Sequence, residues 1–168
     1  MHTLNLLKFT LIDFAEYFSL VSNESVMAQI TEYAIPFEEA QINFQKLLIR
    51  NEQYEHFGSY KIYDNSINEF IGLGHLTLDE ENSEVAEIGY MIKPEHWGKG
   101  YGGEIAKVLI ERARKSDVKK IKAIIDPDNI ASRKILIKQG FVSEVICEIG
   151  GLPGEILCKK LFFSDIYY

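Results

Sequence analysis

The sequence contains only two cysteines and no apolar run long enough to cross a bilayer. Cys147 and Cys158 show neither metal-ligand spacing nor a disulfide framework, so we expect small buried side chains in a reducing cytoplasm. The alternative is a cross-strand pair that could oxidise. The first residues lack the basic start, apolar middle and small-residue cleavage site of a signal peptide. These absences favour a cytoplasmic protein without a membrane segment.

An excess of basic residues is also missing. The 168 residues include 25 acidic and 18 basic side chains, for a net charge of −7. An acidic surface repels phosphate backbones, which disfavours nucleic-acid binding; it would suit a cationic substrate, although solubility is the simpler explanation. No repeat, low-complexity tract or flexible linker interrupts the sequence, and 46% of the residues are hydrophobic. The composition therefore predicts one globular domain, residues 1–168, with its own core.

The order of strand-like and helix-like patterns predicts an α+β fold in which a mixed sheet carries helices on its faces. Asp13 should cap the first helix, Pro36 should end the second, and Gly140 should follow the last. We expect an antiparallel meander, then a parallel strand–helix–strand unit, then a final antiparallel pair. The predicted strands are 4–10, 59–64, 69–78, 85–93, 119–126, 141–149 and 154–163. The predicted helices are 14–23, a stretch from 25, 36–53 (with Phe37, Ile42 or Gln41, Phe44 and Leu48 on its apolar face), 102–115 and 129–140.

Four glycines stand in the last six positions of KPEHWGKGYGG, residues 93–103, directly before a helical pattern. The free N–H groups at the start of a helix, with glycines that let a ligand approach closely, suit an anion, and the helix dipole favours its negative charge. The backbone amides from Gly98 to Gly103 are therefore candidates for wrapping a diphosphate. The alternative is a tight turn that binds nothing.

Two other kinds of phosphate-binding loop fit this segment less well. A Walker A loop needs Gly-Lys followed by Ser or Thr, and that tripeptide does not occur. Gly98, Gly100 and Gly103 match the G-x-G-x-x-G fingerprint of dinucleotide-binding folds, and Asp126 lies roughly 20 residues further on, as that fingerprint requires. However, residues 93–97 separate the first glycine from the strand, and too little sequence follows Asp126 for the remaining parallel strands. We therefore disfavour a nucleotide-binding oxidoreductase.

The segments AEIGYMIKPEHWGKGYGGEIAKVLIERA and DPDNIASRKILIKQGF, taken together, resemble the GNAT superfamily of acyl-CoA-dependent N-acetyltransferases. The branch that they are most similar to contains the ribosomal-protein N-terminal alanine acetyltransferases and the spermidine acetyltransferases. The resemblance covers most of the chain. It implies a mixed, mostly antiparallel central sheet flanked by helices, with a βαβ coenzyme-binding core. It also implies acetyl-CoA as co-substrate and no metal.

The resemblance assigns coenzyme-binding roles to named positions. Backbone amides of the glycine loop would bind the coenzyme A diphosphate, and the matching residues are Trp97, Gly98, Lys99, Gly100, Tyr101 and Gly102, followed by Gly103. Trp97 stands where the family usually has Arg or Gln. The preceding strand, near Met91 and Ile92, would pair with pantetheine, and the N–H of Ile92 would hold the thioester oxygen. Asn129 would bond the pantetheine arm or cap its helix, and Ser132 to Lys138 would lie along the coenzyme.

The chemistry of acetyl transfer asks for a base and a proton donor. Amine attack on a thioester needs a neutral amine, so a base within hydrogen-bond reach helps. Glu87 is the candidate base; the alternative is that it is an ordinary exposed glutamate on a strand. His96 is a second candidate base, although a histidine on the surface of the loop is the simpler expectation. Many members of the superfamily carry a tyrosine as general acid where this sequence has Leu136. Ser132 or a tyrosine from elsewhere could replace it, or the thiolate could leave unassisted.

Three functions follow from these observations. The first is an N-acetyltransferase that moves an acetyl group from acetyl-CoA to a primary amine by direct attack in a ternary complex. The acceptor would be a small-molecule amine, such as a polyamine, or a protein N-terminus. The second is a non-catalytic acyl-CoA-binding sensor on the same fold, and the third is the oxidoreductase disfavoured above. The chain would act as a monomer or as a homodimer formed through its last strands.

Overall fold

The computed structural model describes residues 2–161, which form seven strands and five α-helices around one sheet. The strands are β1 (Leu4–Lys8), β2 (Gly58–Asp64), β3 (Glu69–Leu78), β4 (Val85–Ile92), β5 (Lys120–Ile125), β6 (Val142–Ile149) and β7 (Leu152–Lys160). The helices are α1 (Phe14–Val21), α2 (Glu24–Met27), α3 (Phe37–Gln53), α4 (Tyr101–Arg114) and α5 (Ile130–Lys138). Residues 162 and 163, which the sequence placed in the last strand, lie outside the described residues.

The sheet has the strand order β1-β2-β3-β4-β5-β7-β6. Strands β1 to β4 form the predicted antiparallel meander, β4 and β5 pair in parallel, and the last two strands pair antiparallel. β7 pairs with β5, so β6 lies at one edge of the sheet. The prediction of a mixed, mostly antiparallel sheet flanked by helices is confirmed. The parallel pair needs a crossover, which α4 supplies.

Two apolar clusters cover the two faces of the sheet. On one face, α4 packs through Ile105 and Leu109 against inward-facing residues such as Ile88 on β4. On the other face, α1 and α3 contribute Leu20 and Phe44 to a second cluster. Alternate residues of a strand point to opposite faces. β4 therefore presents side chains to both clusters along its length.

The start of the chain differs from the prediction in two helices. Asp13 occupies the position before α1, but its side chain makes no cap hydrogen bond there; it accepts hydrogen bonds from Thr10 and from Lys61 instead. The second helix ends at Met27, well before Pro36. Three successive N–H groups converge on the Met27 carbonyl, and the last of them belongs to Glu32, whose φ of 69° cannot continue a helix. Pro36 is the residue directly before α3, at its N-cap, and does not end α2.

Some side chains also lie elsewhere than the patterns indicated. Phe44 is buried on α3, but Ile42 is 57% exposed, because the buried face of that helix runs through Ala40, Phe44 and Leu47. Cys147 is exposed on the edge strand, so only Cys158 is a small buried side chain. The two cysteines are not cross-strand partners, since Cys147 pairs with Gly154. Gly140, with a φ of 91°, follows α5 as predicted.

Candidate active site

β4 and β5 separate from each other in the middle of the sheet. Their parallel pairing covers three residue pairs and ends at Glu87 and Lys122. From there β4 continues to Ile92 along β3, while β5 continues to Ile125 along β7. The divergence leaves a wedge-shaped opening between the two strands, which the sequence resemblance predicted for the strand before the glycine loop.

The hydrogen bonds between β3 and β4 show which β4 residues face this opening. Lys93 donates its N–H to the Ile71 carbonyl at 2.9 Å, and Asp79 donates to the Val85 carbonyl at 2.9 Å. In an antiparallel pair, residues that exchange hydrogen bonds alternate with residues whose N–H and C=O point the other way. The odd-numbered residues of β4 are therefore bonded to β3.

The even-numbered residues at the end of β4 direct their backbone groups into the opening. Tyr90 and Ile92 lie beyond the last pair with β5, so their N–H groups are available to a ligand. The carbonyl of Ile92 is already used, because the indole N–H of Trp97 donates to it at 2.8 Å. Met91 was predicted to offer its backbone to pantetheine. Its backbone is instead bonded to β3, and its side chain packs on the α1–α3 face.

A groove of about 1070 Å³ runs through the opening from one face of the sheet to the other. On the α4–α5 face its walls include Tyr90, Ser132 and Leu136, and on the α1–α3 face they include Met91 and Gln29. A ligand bound on one face can therefore meet a ligand bound on the other in the middle of the sheet.

The glycine loop forms one end of the groove. Gly98 and Gly100 have φ angles of 72° and 85°, values that side-chain-bearing residues rarely adopt. A Cβ atom at either position would meet nothing within 4 Å, so the loop faces open space. α4 begins directly afterwards at Tyr101, one residue earlier than predicted. The free N–H groups of its first turn therefore point into the groove, as anion binding requires.

A network of polar side chains holds this loop against the meander. The Tyr101 hydroxyl donates to the carboxylate of Asp64 at 2.7 Å, and burial together with that carboxylate raises the pKa of Tyr101 to about 12. Hydrogen bonds from the hydroxyl of Ser66 and, to a smaller extent, from that of Tyr101 hold the pKa of the Asp64 carboxyl well below its ordinary value. His96 is buried with Nε2 3.2 Å from a Glu69 oxygen, so the expectation of a surface histidine is wrong. This placement favours a structural role for His96.

α5 forms the opposite wall of the groove on the α4–α5 face. The Asn129 side-chain oxygen accepts from the N–H of Ser132 at 3.2 Å, which is the helix cap weighed in the sequence. The cap uses only the oxygen, so the amide NH₂ of Asn129 can still donate to a ligand. Gly102 makes close contact of the helices possible, because a Cβ there would lie 2.7 Å from the Ile135 side chain. Leu136 is buried and apolar at the position where the family's acid was expected.

Glu87 lies on the other face, at the point where β4 and β5 part. Its side chain is 31% exposed, and burial raises the pKa of its carboxyl, with Lys122 opposing the shift. His75 on β3 faces it, with Nε2 3.9 Å from a Glu87 oxygen. Burial, and then the charge of Arg50, lowers the pKa of His75 to about 4, so the ring is neutral at neutral pH. The ring fits only because Gly89 lies beneath it, since a Cβ there would be 2.2 Å from Nε2.

The structure gathers nearly all of the predicted coenzyme-binding residues around the groove. Lys99 is the exception, because it does not line the groove and instead accepts a hydrogen bond from His2 through its carbonyl. The predicted coenzyme-binding residues that line the groove are Met91, Ile92, Trp97, Gly98, Gly100, Tyr101, Gly102, Gly103, Asn129, Ser132 and Lys138. Sequence reasoning missed Tyr90 and Lys107 in the groove, and His75 beside Glu87. A glycine inside a strand, Gly89, was the available signal for a side chain packed closely over it.

Comparison with known proteins identifies the family. Residues 3–142 match the domain family described as Acetyltransferase (GNAT) domain, so the chain belongs to the GNAT acetyltransferase family. The Bacillus subtilis (strain 168) protein named "Uncharacterized N-acetyltransferase YjdG" is 33% identical over 107 residues, covering 63% of this chain and 64% of that protein. The chain spans about half to two thirds of the length of several curated relatives, with 54%, 64% and 48% of them covered.

Solved structures of the same fold include two complexes with coenzyme A. A spermidine N-acetyltransferase from Vibrio cholerae, in complex with CoA and spermine, has a TM-score of 0.77 at 20% identity, covering 94% of this chain and 95% of that chain. The aminoglycoside acetyltransferase AAC(6')-Ib in complex with coenzyme A has a TM-score of 0.79 at 18% identity, with the same coverage. At these identities the likeness supports the fold alone. Within residues 2–161, no helix is long and apolar enough to span a membrane.

Proposed function

We propose that the protein transfers the acetyl group of acetyl-CoA to a primary amine by direct attack in a ternary complex. The observation that carries this proposal is the groove that passes between β4 and β5. The glycine loop lies at its mouth on one face. Glu87 does not line the groove itself, but it lies on the other face, two residues before Gly89, which does. A thioester held in the opening would thus be reached by an amine from the opposite side of the sheet.

The residues around the loop fit a diphosphate. The loop glycines leave space for its oxygens, and the first-turn N–H groups of α4 can donate to them. Lys107 and Lys138 add positive charge to the walls. Glu104 in the same wall is unfavourable, so the backbone and these two lysines must outweigh one carboxylate. Backbone donors are sufficient for this task, and Trp97 therefore need not contribute the side-chain contact of the usual Arg or Gln.

The free backbone groups of β4 suit the pantetheine arm. An amide-bearing chain in the opening can pair with the N–H and C=O of Tyr90 and with the N–H of Ile92. We assign the Ile92 N–H to the thioester oxygen, where it would stabilise the negative charge of the transition state. Asn129 would donate its amide NH₂ to the arm from the opposite wall.

Glu87 is the group on the acceptor side that can take up the amine proton. A carboxyl whose pKa is raised by burial is a better base than an exposed glutamate, and it can act directly or through one water. Its negative charge also attracts an ammonium group. The neutral His75 beside it does not repel such a cation.

For the acceptor we propose a polyamine or a protein N-terminus, in line with the spermidine and N-terminal alanine branch. The spermine bound to the Vibrio cholerae structure shows that an enzyme of this fold takes a polyamine. The net charge of −7 also favours a cationic acceptor. Aminoglycosides belong in the same test, because AAC(6')-Ib shares the fold.

The test measures thiol release from acetyl-CoA with a panel of polyamines, aminoglycosides and N-terminal peptides. We expect amine-dependent release, and the Glu87→Gln variant should lose most of it. Coenzyme A, but not NAD, should raise the melting temperature. Binding of coenzyme A without thiol release for any acceptor would favour the acyl-CoA sensor instead, an alternative that the buried Leu136 supports.

A further inference from the structure

The departing thiolate of coenzyme A needs a proton, and the position expected to supply it is apolar. Leu136 lies on the groove wall with 1% of its surface exposed and cannot donate. Another hydroxyl in the groove would have to act. The hydroxyl-bearing residues on its walls are Ser25, Tyr90, Tyr101 and Ser132.

Only one of the two tyrosines is free for this task. The hydroxyl of Tyr101 is occupied, because it donates to the buried Asp64 carboxylate at 2.7 Å. The hydroxyl of Tyr90 is buried, and no group among residues 2–161 makes a well-formed hydrogen bond to it, although the Ser132 hydroxyl lies close to it. A buried polar group without a partner is costly, so its retention indicates a partner that arrives with a ligand. Ser25 lies on α2, on the acceptor side of the sheet.

Tyr90 and Leu136 line the same groove, on the same face of the sheet. Side chains on a helix lean towards its N-terminus, so a tyrosine at position 136 would extend over the preceding turn, which contains Ser132. The Tyr90 ring rises from β4 on the same face, passing Gly102, and its hydroxyl lies beside that of Ser132. The apolar Leu136 and the phenol of Tyr90 therefore face the same groove.

We propose that the Tyr90 hydroxyl is the proton donor to the thiolate of coenzyme A, which rests on the acetyltransferase function proposed above. The amine nitrogen forms a bond to the acetyl carbon and loses a proton to Glu87. The carbon–sulfur bond then breaks, sulfur takes the electron pair, and the phenol proton of Tyr90 moves to sulfur. Water then returns a proton to the phenolate, directly or by relay through the Ser132 hydroxyl, and Glu87 releases the amine proton to solvent. The products are the acetylated amine and the free thiol, and the protons balance.

The electrostatic surroundings of Tyr90 agree with this role. Burial raises the pKa of Tyr90, and the Ser132 hydroxyl opposes the shift, so the phenol keeps its proton at neutral pH. The other titratable side chains that line the groove are those of His96, before α4, of Tyr101, Glu104 and Lys107 on α4, and of Lys138 on α5. Because a thiol has a pKa of about 8.5, the help of a donor is moderate rather than absolute.

The first experiment compares Tyr90→Phe with Tyr60→Phe. Tyr60 is the control, because its ring lies in the cluster against which Tyr90 packs, but its hydroxyl donates to the His56 carbonyl away from the groove. We expect Tyr90→Phe to lower kcat by about 10²-fold, at the low end of general acid–base effects. The KM for acetyl-CoA should change much less, and Tyr60→Phe should leave kcat unchanged.

The second experiment replaces the tyrosine at position 90 by 3-fluorotyrosine, which keeps the shape and lowers the phenol pKa. The fluorine resonance should shift when coenzyme A is added, whereas the same label at position 60 should not respond. A proton donor loses activity as pH rises through its pKa. The alkaline limb of the kcat profile should therefore move to lower pH with the fluorinated residue.

The outcomes separate this proposal from the function on which it rests. If the wild-type protein releases no thiol with any amine, both fail. If it turns over but Tyr90→Phe keeps its kcat, or changes only KM, then Tyr90 is at most a binding contact and this proposal is wrong. An unchanged fluorine signal on binding of coenzyme A would also overturn it, even where Tyr90→Phe does not fold.

Discussion

Replacing Gly100 by alanine tests whether the left-handed turn of the coenzyme loop is needed for binding. Gly100 has a φ of 85°, and a Cβ there would meet no atom within 4 Å. The cost of alanine is therefore torsional rather than steric, and it amounts to about 1–2 kcal/mol. If the loop keeps its shape, the free energy of unfolding falls by that amount. If the loop relaxes, the affinity for coenzyme A falls by about 5- to 30-fold instead.

The two losses should sum to about 1–2 kcal/mol. Thermal unfolding measures the first, at about 2–4 °C per kcal/mol for a chain of this size, and calorimetric titration with coenzyme A measures the second. Gly151 provides a matched control, because its φ of 82° is similar and it also faces open space, but it lies in the turn between β6 and β7. Gly151→Ala should lose stability and no affinity.

Asparagine tolerates the left-handed region better than alanine, so Gly100→Asn should lose less than Gly100→Ala in the summed free energy. The torsional reasoning is refuted if Gly100→Ala matches the wild type in both measurements. It is also refuted if asparagine proves worse than alanine.

Three further changes give opposite signs or coupled effects. Glu87→Gln should lower kcat by about 10²-fold, yet raise the melting temperature at pH 8. The pKa of the Glu87 carboxyl is raised on folding, so the stability of the wild-type protein falls as pH rises through that pKa. Unfolding curves of both proteins over a pH series check the sign of this difference. Gly89→Ala should cost about 1–3 kcal/mol by overpacking against His75, and adding His75→Ala should recover part of it, which a double-mutant cycle on unfolding free energies would show. Asp64→Asn should cost about 1.5–3 kcal/mol at neutral pH. Because the Asp64 pKa is lowered on folding, wild-type stability should fall below about pH 4 more steeply than that of the variant, which keeps only the contribution of the other carboxyl groups.

The geometry of the glycine loop and the cap of α5 could be predicted because local backbone requirements leave a trace in the sequence. Positive φ angles at Gly98 and Gly100 select glycine, and the start of α4 directly afterwards is a helical pattern. The helix cap made by Asn129 was predicted, because a cap is a local motif. These features depend on residues that are close in sequence, so they can be found in a single sequence.

The remaining part of the site depends on which residues meet across the sheet. Tyr90 became visible only when the β3–β4 hydrogen bonds showed which backbone groups of β4 face the opening. His75 contacts Glu87 because of strand register, and a shift of one residue would send it to the other face. Leu136 shows the opposite case, since its failure to match the family was evident in the sequence but its burial was not.

The second residue of the chain touches the coenzyme loop, with consequences for how the protein is handled. The His2 ring stacks on Tyr101 at 3.8 Å between centroids, its Nδ1 lies 3.2 Å from the Asp64 carboxylate, and its Nε2 lies 2.7 Å from the Lys99 carbonyl. An affinity tag attached directly before His2 would interfere sterically with this contact. Purified protein with such a tag should bind coenzyme A more weakly than the same protein after the tag is cleaved.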